Sequence, residues 1–117
     1  MTDTETFKKS ARDYKPMKRP KGYRKRRDQE CFYNAQMLAI EDRGRYVEGY
    51  AQSRHLNMLV HHAWITLDGV HAIDPTWQEP GAKYIGIEVD TVTLAKAMCA
   101  KGFTEAHFNL PCIAVAS

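Results

Sequence analysis

The run from Leu59 to Leu67 restricts this chain more than any other feature. It is rich in β-branched and apolar residues, is followed by Asp68-Gly69, and returns through Val70 to Asp74. That pattern reads as a strand, a tight turn and a second strand. Around this hairpin the sequence predicts strands over Arg45–Ala51 and Tyr84–Val89, and a loop where Pro75, Pro80 and Gly81 fall. Two helices are expected. Cys31 to Asp42 holds good helix formers without Gly or Pro, with Asp28 as N-cap and Arg43-Gly44 as the stop. Thr91 to Lys101 follows Asp90 as N-cap and ends at Gly102, with Leu94, Ala95 and Met98 on one face. Cys112 to Ala116 reads as a final strand.

Ahead of these elements lies a segment of opposite character. Residues 1–30 carry eleven Lys/Arg against five acids, a balance of +6, whereas residues 31–117 carry six against nine, a balance of −3. Pro16, Pro20 and Gly22 interrupt any long helix there, and Phe7, Tyr14 and Tyr23 are too few for a core. The sequence therefore predicts a basic, extended or disordered arm over residues 1–28 and a folded domain over 29–117. Residues 8–27 offer clustered cations to nucleic acid or an acidic partner. A chain of 117 residues with 44% hydrophobic content supports one domain with a small core. No apolar run is long enough to span a bilayer and no secretory leader is evident, so a soluble, cytoplasmic protein is expected. The three cysteines, Cys31, Cys99 and Cys112, lack paired spacing, which points to neither a disulfide framework nor a thiolate zinc site.

Cys31, His62 and Asp74 supply the residue types of thiol catalysis. A cysteine in the first turn of a helix is favoured as thiolate by the helix dipole. A histidine on a neighbouring strand can take and return the proton, and a carboxylate on the other ring nitrogen fixes the tautomer. His62 and Asp74 must then share one face of the hairpin. A two-residue loop at Asp68-Gly69 puts them on opposite faces. A three-residue loop, Leu67-Asp68-Gly69, with Gly69 at positive φ, pairs Thr66 with Val70 and His62 with Asp74. That register is predicted.

Cys31-Phe32-Tyr33-Asn34-Ala35, Tyr46-Val47-Glu48-Gly49-Tyr50, His62-Ala63-Trp64 and Asp74-Pro75-Thr76-Trp77 resemble, in order and spacing, the core of the transglutaminase-like cysteine proteins, relatives of the papain-like peptidases. The resemblance covers about Cys31 to Val89. It implies an α+β fold in which a central helix bearing Cys31 packs on a small antiparallel sheet bearing His62 and Asp74. The function it implies is thiol-dependent acyl transfer through a thioester, with hydrolysis or deamidation of an amide in a peptide or protein expected, and no cofactor. Both tryptophans follow Cys31, so the oxyanion is expected to rest on Gln29 or on the Cys31 backbone N–H. Asn34, Glu48 and Trp64 are expected beside the triad, as orienting groups or as a wall.

Plainer readings stand next to these. Cys31 as a buried small hydrophobe would leave a catalytically silent binding module whose basic arm docks on nucleic acid or an acidic partner. His61 and His62 fall on opposite faces of one strand, which disfavours a shared metal and makes His61 structural. His71 and His107 read as surface or loop residues, and Cys99 and Cys112 as core.

Overall fold

The computed structural model describes residues 3–102, 105–110 and 113–114. In chain order these are α1 (Asp3–Ser10), β1 (Arg12–Met17), α2 (Cys31–Ile40), β2 (Arg45–Gln52), β3 (Met58–Thr66), β4 (His71–Ile73), β5 (Lys83–Val89), α3 (Thr91–Lys101) and β6 (Ile113–Ala114). Five strands run in the order β2-β5-β1-β4-β3, and β3 pairs again with β2, so the sheet closes into a barrel in a small α+β domain. β6 adds to the outer end of β3. The β1–β4 pairing is parallel and the others are antiparallel, so the barrel is mixed rather than the expected antiparallel sheet.

Tyr14, Val47, Ala51, Trp64, Ala72 and Tyr84 come from all five barrel strands and pack into one buried cluster, the barrel interior. Alternation sends the opposite set outward. Tyr46, Ala63, Ile65, Ile73 and Val89 meet Ala35, Leu38 and Ala39 of α2 and Leu94 of α3 in a second cluster. A third joins Phe7 of α1 to Tyr50 and Leu110, with the Phe7 and Tyr50 rings edge to face at 5.0 Å.

Residues 12–17 do not form a free arm. They make an interior strand, with Lys15 opposite His71 and Tyr14 opposite Tyr84. The segment is poor in apolar residues because only its inward side needs them. Tyr14 is buried against Trp64 at 6.0 Å while Arg12, Asp13 and Lys15 face solvent. The connection from Lys18 to Glu30 is also tied down: the Arg26 N–H donates to the Pro75 carbonyl at 2.7 Å and the Tyr23 hydroxyl to the Arg43 carbonyl at 2.9 Å.

The ends of α2 differ from expectation. Glu30, not Asp28, precedes the helix, and Asp28 pairs with Lys25 instead. The helix stops at Ile40 because Asp42 takes the left-handed conformation (φ 60°), with the Asp42 N–H donating to Ala39 and the Arg43 N–H to Leu38. Gly44 serves packing: a Cβ there would lie 2.8 Å from Ile65 Cδ1. α3 follows the sequence reading, with Asp90 accepting the Thr93 N–H and Gly102 at its end. Its Cys99 is exposed rather than in the core, because Leu94 is the residue α3 buries. Cys112 lies outside the described residues. No helix among them is long and apolar enough to cross a membrane.

Candidate active site

β3 and β4 set the site's frame. Ile65 pairs with Ile73, a register two residues wider than the three-residue loop predicts. The wider turn exists because Asp68 caps it: its Oδ1 accepts the Val70 and His71 N–H groups, each at 2.8 Å, and Thr66 Oγ1 accepts the Gly69 N–H at 3.0 Å. Gly69 has the expected positive φ, 77°. A slip of two keeps parity. His62 and Asp74 therefore still point to the same inner face.

Both side chains are buried, and His62 Nε2 lies 2.9 Å from Asp74 Oδ2. Asp74 is held on all sides. Its Oδ2 also accepts the Tyr84 hydroxyl at 2.7 Å, while Oδ1 accepts the backbone N–H of Thr76 at 2.9 Å and of Trp77 at 3.1 Å. The Tyr84 oxygen in turn accepts the Gly81 N–H at 2.7 Å. Arg19 fastens the same turn from outside, donating to the carbonyls of Asp74 at 3.1 Å and Trp77 at 2.8 Å. Trp77 stacks on the His62 ring with centroids 4.1 Å apart and planes 22° apart.

Cys31 opens α2, is half-buried, and lies near enough to His62 to help raise the imidazole pKa. With Nε2 committed to Asp74, the nitrogen left for the thiol is Nδ1. Burial by itself lowers the imidazole pKa. The Asp74 carboxylate and Cys31 outweigh it and raise His62 to about 9. Burial likewise pushes the Asp74 carboxyl up, but His62, Tyr84 and the Thr76 N–H hold it below its ordinary value. The Tyr84 phenol, buried beside that carboxylate, is raised far above its ordinary value and stays protonated.

The other expected residues are spread more widely. Gln29 has φ 64° and lines, with Thr76 and Trp77, an open cleft of about 760 Å³ bounded also by the β2–β3 connection at Arg54 to Leu56. Asn34 is buried and donates to the Arg27 carbonyl at 2.8 Å and to Thr76 Oγ1 at 2.9 Å, tying the entry of α2 to the turn after Asp74. Trp64 shares His62's inner face, its ring 6.3 Å away, but it is fully buried inside the barrel and walls no cleft. Glu48 lies on the other face of the sheet. Its carboxylate meets His61 Nε2 at 2.9 Å and accepts the N–H groups of His107 at 2.7 Å and Phe108 at 2.6 Å, so it anchors the segment after α3 rather than orienting His62. His71 pairs with Asp68 at the turn. Among the described residues no three His, Cys, Asp or Glu side chains are grouped to hold a metal ion.

Sequence reasoning missed Tyr84 and Arg19. Tyr84 carries no local signal beyond strand alternation, and Arg19 lies in the segment expected to be a basic, extended or disordered arm. It likewise gives Trp77 no role, although the place of that residue in the Asp-Pro-Thr-Trp segment, three residues from Asp74, is a signal that could have found it. The chain matches no protein-family model, and no curated protein or solved structure is significantly similar to it. What the site can do therefore rests on its own geometry.

Proposed function

We propose that this chain is a thiol-dependent acyl-transfer enzyme of the transglutaminase-like kind, acting through Cys31, His62 and Asp74 on an amide in a peptide or protein. The observation that carries this reading is the linear order of groups: a helix-opening thiol, the buried imidazole whose pKa it helps to raise, and a carboxylate 2.9 Å from a nitrogen of that ring.

In the reaction His62, with its raised pKa, holds the thiol's proton on Nδ1 as an imidazolium, and the Cys31 thiolate attacks the amide carbonyl. The backbone N–H of Cys31 at the start of α2 donates to the developing oxyanion, and Gln29 stands two residues before it in sequence. Collapse breaks the C–N bond. His62 gives its proton to the leaving nitrogen, which departs as an amine, or as ammonia from a primary amide, and a thioester remains on Cys31. Water, deprotonated by His62, attacks the thioester, releases the acid and restores the thiol. Asp74 keeps the ring proton on Nε2 throughout, and Trp77 shields that hydrogen bond from water. Cys31 is only half-buried, so the thioester is accessible to water, which favours hydrolysis and deamidation over transfer to an amine.

Alkylation by iodoacetamide near neutral pH, mapped by peptide mass spectrometry, tests this reading. Cys99 is exposed and Cys31 half-buried, so access alone favours Cys99. Preferential labelling of Cys31, lost in His62→Ala, supports the triad. Labelling of Cys99 at least as fast, with no effect of His62→Ala, refutes it.

A further inference from the structure

Arg19, Arg24, Arg26 and Arg43 surround a cavity of about 340 Å³ next to the turn that carries Asp74, together with Tyr23 and Pro75. Its deeper wall is apolar, made by the buried Leu38 and Ile73. Among the described residues no acidic side chain lines it. Glu41 reaches Arg26 at 3.2 Å, so four guanidinium groups face one carboxylate, a surplus of +3.

Arg19 and Arg43 are held by neutral groups. Arg19 donates to the carbonyls of Asp74 and Trp77. Arg43 donates to the Gly22 carbonyl at 2.6 Å and lies over the Tyr23 ring, 4.6 Å from its centroid. Such contacts fix the groups in place without cancelling their charge. Each guanidinium has five N–H donors, so most remain available. Arg24 is exposed and takes no part in these contacts. Like charges gathered round one cavity repel unless an anion sits among them. The planar fork of arginine fits phosphate oxygens two at a time.

The geometry points to a binding site for a small phosphate monoester, its dianionic phosphate among the arginines and its organic part against Leu38 and Ile73. The volume lies at the lower end of small-ligand pockets, roughly 300–1,000 Å³, and suits a compact ligand better than a polymer. The site is separate from the Cys31 thiol and stands whether or not the proposed acyl transfer occurs.

Calorimetric titration of the full chain with inorganic phosphate, glycerol 3-phosphate, adenosine 5′-monophosphate and adenosine tests it. One-to-one saturable binding of the phosphate-bearing probes, with none for adenosine, is expected, the monoesters binding more tightly than phosphate itself. Arg24→Ala is expected to weaken binding about tenfold, as loss of one charge-assisted contact does, and Arg24→Glu at least a hundredfold. Neither variant removes a contact that holds the fold, and thermal melting checks this. Amide NMR shifts on titration should centre on Gly22 to Arg26 and Arg43. Absence of saturable binding, binding of inorganic phosphate with the monoesters excluded, or affinities unchanged in Arg24→Glu would overturn the assignment. So would a single-stranded oligonucleotide whose affinity grows with length and that adenosine monophosphate does not displace, since that describes a nucleic-acid surface.

Discussion

Asp74→Asn separates a working triad from a coincidence of residues. Oδ1 of Asp74 accepts two backbone N–H groups, from Thr76 and Trp77, and Oδ2 faces His62 Nε2 and the Tyr84 hydroxyl. The two backbone donors fix an Asn with its oxygen toward them, so its NH₂ must face His62. The amide then donates to Nε2 and drives the ring proton to Nδ1, the nitrogen on the Cys31 side. His62 loses its countercharge and its capacity to accept the thiol proton. Burial is the largest influence on this imidazole and acts downward, so without Asp74 its pKa falls from about 9 back to about 6.5, the ordinary value, or lower. That difference, about 2.5 in pKa, corresponds to roughly 3 kcal/mol and to a few hundredfold in the ratio of imidazolium to imidazole. NMR titration of the histidine ring, and iodoacetamide rates measured with Cys99 replaced by Ser, read the change. Wild-type His62 should titrate near 9, and Cys31 alkylation at neutral pH should slow about a hundredfold in the variant. Stability carries the same signature. A pKa raised on folding stabilises fully below the unfolded value of about 6.5 and loses that contribution as pH rises through about 9. The wild type should therefore lose roughly 3 kcal/mol across that window in urea titrations, and the Asn variant should not. A wild-type His62 titrating at or below 6.5, or undiminished alkylation in the variant, refutes the reasoning.

Three further outcomes follow from named contacts. Glu48→Gln weakens a buried acceptor of two backbone N–H groups and His61, so urea denaturation should show a loss of about 3 kcal/mol, with faster hydrogen exchange at His107 and Phe108. Arg19→Met removes the donors to the Asp74 and Trp77 carbonyls, and Cys31 alkylation should slow about tenfold for a stability loss of about 1–3 kcal/mol; an unchanged rate would show that the turn holds itself. Gly49→Ala places a Cβ 2.1 Å from the Ile85 carbonyl oxygen and 2.6 Å from Gly86 Cα, so the variant should lose at least about 3 kcal/mol or fail to fold, read by circular dichroism and soluble yield.

Local chemistry accounts for what the sequence made legible. Asp90 and Gly102 bound α3 because capping is a short-range hydrogen-bond problem, and alternation along β3 put His62 and Trp64 inward together. The hairpin's parity was legible although its register was not, since Asp68 widens the turn through bonds to Val70 and His71 that a loop-length rule ignores. β1 was missed for another reason. Its single deeply buried residue, Tyr14, finds its apolar neighbours on strands far along the chain, so no local window contains the pattern. Glu48 shows the same limit: the N–H groups it accepts belong to residues 59 and 60 positions later.

β1 also fixes an order of events. It is synthesised well before its two neighbours in the barrel, β4 and β5, which span residues 71–89. Until those residues have left the ribosome the barrel is an open sheet, and contacts across such sequence distances are slow to form. Arg19, directly behind β1, reaches the Asp74 turn only in that same closure. A nascent chain therefore carries Cys31 without the finished His62–Asp74 pair until β5 has emerged, and the thiol acquires its neighbours in the step that completes the fold.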